Sequence, residues 1–441
     1  MKRTLEKDLL EWKNSSEHPP LIVRGARQVG KSYLIESFGI KNFANLVVVN
    51  FDEKPYLTTC FDSLEVSSIL SRLSQLTGQV IIPGETLLFF DEIQNCLPAL
   101  KSLRYFKEKI PQLHVIAAGS FLEFVLEDEK DISFPVGRVQ FLNMRPMSFM
   151  EFLEAIGQSG LNEILSTVTI DKPLPEQLHR HLLNYVRDFF FIGGMPGVVE
   201  KFSKNLSYHD TQRVQASILD FYRLDLAKYG KKSQYKNLEY LFNKVPDFVG
   251  QHFKYSKIDP HSPNPSREYK YSLHKLNLAR IIHLVHATGA NGLPLQAEID
   301  EKKFKLFFLD IGLLQYALEV DPTKSALSPL VDIHRGILAE QFVAQELLAY
   351  IDPYIDRHLF FWDRQKKGSS AEIDFVMNIS GYIVPIEVKA GSSNKMKSLQ
   401  QFLDTKPAKI GVRISEANLS FENRILSIPF YLMSQLPRFI V

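Results

Sequence analysis

The chain has 441 residues, more than one hydrophobic core normally covers, and its 45% apolar and 23% charged residues exclude a disordered chain or a fibrous repeat. A formal net charge of +2 excludes a globally basic nucleic-acid binder and leaves any such contact to a local patch. No apolar run reaches the roughly 18 residues that span a bilayer, and the charged start MKRTLEKDLLEWK carries no hydrophobic signal core, so a cytoplasmic protein with no membrane contact is expected.

Leu21, Ile22 and Val23 read as a short buried strand feeding into Gly25-Ala26-Arg27-Gln28-Val29-Gly30-Lys31-Ser32, the full GxxxxGKS pattern, with a helix-like run from Tyr33 onward. The glycines let the backbone close around phosphates, while amide groups and a helix N-terminus face the negative charge. Lys31 is expected to reach the β- and γ-phosphates of ATP, and the Ser32 hydroxyl to ligate Mg²⁺. Asn45 to Asn50 is a second strand, ending in an amide expected to hydrogen-bond Glu92. Thr86 to Asp91 is a third, ending in Asp91-Glu92: Asp91 is expected to hold Mg²⁺ through water, and Glu92 to orient or deprotonate the attacking water. His114 to Gly119 is a fourth, after which Ser120 would aim a hydroxyl at the γ-phosphate.

In this order the pieces resemble the AAA+ ATPases. The set GARQVGKS, FFDEIQ, AAGS, Gly137-Arg138, PMSFMEF and Gly193-Gly194-Met195-Pro196 is similar to a prokaryotic group of AAA-type ATPases with a C-terminal domain of unassigned function. That resemblance implies that Arg138 acts on the γ-phosphate of its own or a neighbouring subunit, and action in trans would require a homo-oligomer. Arg180 and Arg187 lie on a helix-like stretch where a lid arginine could stand.

Helix-like runs at 176–191 and 211–226 are expected to form a helical lid, with Gly193, Gly194, Pro196 and Gly197 marking a turn. Between Lys228 and Arg280 stand 11 Lys or Arg against 4 Asp or Glu, interleaved with Tyr229, Tyr235, Tyr240, Phe253, Tyr255, Tyr269 and Tyr271, as in a surface that binds phosphates and stacks bases. A solvated face packing on an acidic domain gives the same count. Helical runs near 235–245 and 270–286, followed by a strand-like run to Asp310, suggest a helix-turn-helix with a wing, and the resemblance implies a winged-helix-like segment here.

Residues 320–332 read as a linker. Beyond it, a helix-like run from Ile333 to Ile351 places Glu340 on the same face as Ile337, Ala344, Leu347 and Leu348, where a carboxylate needs a cation or a metal. Ala371 to Met377 and Ile383 to Val388 read as a hairpin carrying Asp374, Glu387 and Lys389. Two carboxylates on adjacent strands with Glu-x-Lys resemble the restriction-endonuclease-like superfamily. The resemblance implies that Asp374 and Glu387 bind Mg²⁺, Glu340 assists and Lys389 positions the water. Charges paired at the surface of a hairpin give the same pattern.

The expectation is an α/β protein: a P-loop NTPase core of AAA+ type with a parallel sheet at 1–150, a helical lid at 151–230, a winged-helix-like domain at 231–325 and a restriction-endonuclease-like domain at 326–441. One reading couples Mg·ATP hydrolysis to DNA or other nucleic acid through a nuclease-like domain. A second is an ATP-driven switch that binds a partner through an inert nuclease-like domain, and a third is a protein-remodelling ATPase that ignores nucleic acid.

Overall fold

Five strands with mostly apolar runs build one sheet: β1 (Leu21–Arg24), β2 (Asn45–Asn50), β3 (Thr86–Asp91), β4 (His114–Gly119) and β5 (Gln140–Asn143). Their order is β2-β3-β4-β1-β5 and every pairing is parallel. Each residue of β3 and β4 is buried, as expected for strands covered on both faces. On one face Ile22, Val49 and Phe90 share a core with Leu100, Leu103 and Phe106 from the helix Leu97–Lys109. Asn50 lies opposite Asp91, and Arg24 opposite Gly119, so the polar ends of β1 to β4 gather at the carboxyl edge, where open α/β sheets bind ligands.

The computed structural model describes residues 1–128, 137–229, 234–320, 333–364, 371–389 and 396–440. This sheet belongs to a unit of residues 1–145 with short returns at 278–280 and 352–356, and the remaining residues form a second unit. Among the described residues no helix is long and apolar enough to cross a membrane.

The second unit contains the helices Glu176–Ile192, Pro196–Asn205 and Tyr208–Tyr229, which sequence placed in a lid, together with an eight-stranded mixed sheet. Its strands are β6 (Ile282–Thr288), β7 (Ile299–Phe308), β8 (Phe360–Asp363), β9 (Glu372–Ile379), β10 (Tyr382–Val388), β11 (Gly411–Ser415), β12 (Ser420–Glu422) and β13 (Ile425–Pro429). They run in the order β12-β13-β11-β10-β9-β8-β6-β7. β7 takes up the strand-like run expected as a wing and pairs antiparallel with β6, whose first residues were expected in a helix, and the parallel pairing of β6 with β8 draws both into one sheet with the C-terminal strands.

The helices Tyr235–Lys244 and Pro265–Leu278 lie in the middle segment. The second stops well short of the expected 286, because Arg280 turns the chain at φ +59° and the run from Ile282 continues as β6. The expected linker beyond Val320 lies outside the described residues. β9 and β10 form the expected hairpin. Ser380 and Gly381 take positive φ, as a two-residue hairpin turn demands, and Asn378 Oδ1 accepts from Gly381 N at 3.0 Å.

Candidate functional site

The loop between β1 and the helix Lys31–Asn42 is shaped by close approach. A Cβ on Gly25 would stand 2.3 Å from Met144 O, so no side chain fits there, and Gln28 and Gly30 both take positive φ. Ala26 and Val29 are buried, Arg27 is partly exposed and Gln28 is exposed. Tyr33 is 62% exposed, and its hydroxyl accepts from the N-terminal amine at 3.2 Å. The Lys31 ammonium donates to Gly25 O at 2.9 Å and Ala26 O at 2.8 Å. Burial lowers its pKa to about 8, against the pull of Glu92 and Asp91.

Ser32 Oγ lies within hydrogen-bonding reach of both Asp91 oxygens, at 3.0 and 2.9 Å. Burial raises the Asp91 pKa to about 6, the hydrogen bond from Ser32 opposing it. The Asn50 amide, expected on Glu92, donates instead to Asp91 Oδ2 at 3.2 Å, because the β2–β3 register sets the two strand ends side by side. Asn50 Oδ1 accepts from the backbone of Asp52 and Glu53, both at 2.9 Å. Glu92, at φ +51°, turns out of β3, and Ser120 Oγ lies 3.5 Å from its Oε2, at the limit of a hydrogen bond.

Sequence reasoning gave no role to Gln94, whose Nε2 donates to Glu92 Oε2 at 2.5 Å. Gln94 is buried, and a Cβ on Gly119 would stand 2.5 Å from its Oε1, so the glycine ending β4 makes room for this side chain. The signal was present in FFDEIQ, where a glutamine two residues after the acid can reach back across a short turn.

Arg138 is half-exposed and its Nε donates to Glu108 Oε1 at 2.9 Å. Arg180 pairs with Glu176 at 2.6 Å, and Arg187 meets Asn184 at 3.1 Å and Glu416 at 3.7 Å. Beside the P-loop strand the sequence pointed to no arginine network, yet Arg24 meets Glu123 at 2.9 Å, and Arg280 meets Glu123 at 3.6 Å and Asp356 at 3.0 Å.

The second unit gathers another cluster. Glu340 stands on the helix Ile333–Ala349, Glu372 and Asp374 on β9, and Glu387 on β10. The ammonium of Lys305, from β7, lies among them: 3.2 Å from Glu340 Oε2, paired with Glu372, and 3.9 Å from Asp374 Oδ1. His252 Nε2 lies 2.9 Å from the other Glu372 oxygen, Val388 N donates to Asp374 Oδ2 at 2.7 Å, and Lys389 pairs with Glu387 at 2.5 Å. Burial raises the pKa of Glu340, Asp374 and Glu387, whereas His252 and Lys305 hold Glu372 at about 2 in spite of its burial. Lys305, His252 and Glu372 were not singled out from sequence. The available signal was a lysine inside the apolar run Phe304 to Phe308.

Among the described aromatic residues of the basic segment, Tyr240 is exposed and Tyr235, Tyr255 and Tyr271 are partly exposed. Phe253 and Tyr269 are buried, Phe253 stacks on Phe304 at 5.2 Å, and Tyr240 OH donates to Ile258 O at 3.2 Å. Lys236, Lys254, Lys257, Arg267 and Lys270 remain exposed, whereas Lys275 is buried. The side chain of Tyr229 lies outside the described residues.

Residues 17–153 match an AAA domain family, and residues 183–324 and 335–432 match two domains of unknown function, DUF8612 and DUF4143. No curated protein matches the chain in sequence. Among solved structures, the Walker-type ATPase of Pyrococcus abyssi is 16% identical with a TM-score of 0.45, over 72% of this chain and 95% of that one. The ORC2 protein of Aeropyrum pernix in its ADPNP-ADP complexes is 11% identical with a TM-score of 0.39, over 74% and 95%. RuvB of Thermotoga maritima is 14% identical with a TM-score of 0.30, over 64% and 89%. All three are distant likenesses. On the family match and the geometry of its P-loop, the segment 17–153 is an AAA-type ATPase domain.

Proposed function

We propose that this chain hydrolyses Mg·ATP and uses the nucleotide cycle to act on nucleic acid. The observation that carries the catalytic half is the placement of Ser32 against both oxygens of Asp91, one residue before Glu92. Mg²⁺ keeps several waters and takes one or two protein oxygens beside substrate phosphates, so Ser32 and Asp91 suit it without a larger protein cage. When bound, the ion neutralises charge on the phosphates. In this reading Gly25 to Tyr33 cradle the nucleotide and Lys31 turns from its backbone partners to the phosphates. Glu92 orients the attacking water, Ser120 stands beside it, and Asn50 steadies Asp91. Arg138, tied to Glu108, is carried over as a finger, and its action in trans would make a homo-oligomer the working form.

The pH dependence of kcat/KM reports groups of the free enzyme. It should fall on the acid side near pH 6, as Asp91 gains a proton, and on the alkaline side near pH 8, as Lys31 loses one. Steady-state phosphate release checks this, and a profile flat through both limbs would remove these two groups from the nucleotide-binding step.

For nucleic acid, the support is the set of exposed basic side chains Lys236, Lys254, Lys257, Arg267 and Lys270. Phosphate contacts release counterions, so each lost contact lowers the salt slope by about one. Replacing Lys254, Lys257 and Lys270 together by Glu should weaken binding to single-stranded and duplex DNA alike and reduce that slope. Unchanged binding with an unchanged slope would argue for the protein-remodelling reading. For the second unit, the seating of Lys305 favours a partner-binding role over cutting. A parallel assay of phosphate release and DNA cleavage tests the whole proposal: hydrolysis lost in Lys31→Ala, with no cleavage by the unchanged protein in Mg²⁺ or Mn²⁺, is the expected pair of results.

A further inference from the structure

We propose that Lys305 is the resident cation of the carboxylate cluster in the second unit, so that Glu340, Glu372 and Asp374 are held together without a divalent metal ion. The side chain is 3% exposed and sits between Phe304 and Leu306, both buried. A lysine buried in that way is costly unless its charge is paired and its donors are used. An ammonium has three donors and no acceptor, and here three carboxylates surround it. They more than offset the burial that opposes its charge, so its pKa lies above the usual lysine value. Its ammonium also stands 5.6 Å from the centre of the Phe361 ring.

The lone pairs that a metal would use are largely committed. One Glu372 oxygen faces Lys305 and the other His252, Asp374 Oδ2 accepts from Val388 N, and Glu387 Oε1 faces Lys389. Only Glu387 Oε2 is buried without a hydrogen-bond partner in this set. Among the described residues no group of three or more His, Cys, Asp or Glu side chains is arranged to hold a metal ion. A divalent cation draws oxygens in to about 2.0–2.6 Å, and one placed between Glu340 and Asp374 would meet the ammonium already there. The residues expected to form a nuclease-type metal site therefore do not fit that metal in this arrangement, and the mismatch is centred on one lysine from a different strand.

The inference stands apart from ATP hydrolysis and is tested with the nucleotide site silenced. Full-length Lys31→Ala protein that also carries Asp91→Asn, so that the Ser32–Asp91 pair takes no metal, is titrated with Mn²⁺ by calorimetry and melted with EDTA or Mn²⁺. No binding and an unchanged melting temperature are expected. Adding Lys305→Met should lower the melting temperature by about 6 °C or more and create Mn²⁺ binding that partly restores it, whereas Lys305→Arg should leave both readouts unchanged. If Lys305→Met does not fold, Lys305→Met with Glu340→Gln, which removes one charge of each sign, should recover folded protein. Mn²⁺ binding to the Lys31→Ala, Asp91→Asn protein that Asp374→Asn abolishes would overturn the proposal. So would a Lys305→Met protein as stable as its parent that binds no metal, or a double variant that stays unfolded.

Discussion

Replacing Glu92 by Gln should slow ATP turnover by at least about a hundredfold, the usual scale of a lost general base, with ATP binding close to that of the unchanged protein. Glutamine preserves the size of the side chain and its place at the end of β3, but offers no carboxylate to the attacking water. Ser32, Asp91 and Lys31, which would hold Mg²⁺ and the phosphates, are untouched, so the loss belongs in kcat. Gln94→Ala provides the graded comparison. It keeps the carboxylate and removes the amide that donates to it at 2.5 Å. A misplaced but intact base should cost about ten- to a hundredfold in kcat, with little change in KM. Single-turnover phosphate release and nucleotide binding by fluorescence separate the two effects. A Glu92→Gln protein with undiminished turnover would remove Glu92 from the chemistry, and a Gln94→Ala protein with normal kcat would leave Gln94 a packing residue.

Four strands of the first sheet, β1 to β4, were legible because parallel strands buried on both faces write themselves as short apolar runs ending at or just before a polar residue, whereas β5, four residues long and only half buried, was not read. Thr86 to Asp91 and His114 to Gly119 carry that pattern, and the structure brings Lys31, Ser32, Asp91, Glu92, Asn50 and Ser120 to one edge of the sheet. Sequence could not say which polar end would meet which. The amide of Asn50 meets Asp91 through strand register, and the carboxylate of Glu92 is taken by Gln94 through a tight turn. The first is a tertiary fact with no local signature, whereas the second is local and its signal stood in FFDEIQ.

The same holds in the second unit. The β9–β10 hairpin was legible from alternation and a turn that requires positive φ, so Asp374, Glu387 and Lys389 could be placed on neighbouring strands. Lys305 could not be placed beside them, because its strand reaches that neighbourhood only through the pairing of β6 with β8, between segments separated by some seventy residues of sequence. Phe253 and Tyr269 are buried although their spacing matched a stacking surface, because composition does not distinguish a ring on the surface from one inside the fold.

Gly194→Ala should be among the most damaging single changes in the second unit, costing about 4 kcal/mol or more, on the scale of severe overpacking and lost buried hydrogen bonds. The backbone of Gly194 is held on two sides. Its N–H donates to Asp310 Oδ2 at 2.6 Å, and its carbonyl accepts from Met147 N at 2.6 Å. A Cβ would stand 2.0 Å from Met147 O, a backbone atom with no rotamer to yield. Neighbouring positions are equally committed: a Cβ on Gly193 would meet Asp310 Oδ1 at 2.1 Å, and one on Gly312 would meet Ile192 O at 2.3 Å. Asp310, buried, also accepts from Leu313 N at 3.0 Å and Gln345 Nε2 at 3.1 Å, so displacing Gly194 takes one donor from a buried carboxylate and the acceptor from Met147 N as well as opening a packed joint. Gly197 supplies the control within the same motif. The nearest atom to its Cβ position is Val214 Cγ1 at 3.8 Å, and it lies in the helix Pro196–Asn205, so Gly197→Ala should be neutral or slightly stabilising. Thermal or denaturant melts of the two variants decide the matter. A Gly194→Ala protein that melts like its parent but has lost ATP turnover would mean that Gly193-Gly194-Met195-Pro196 serves the nucleotide cycle directly, whereas the close backbone contacts make it a joint of the fold.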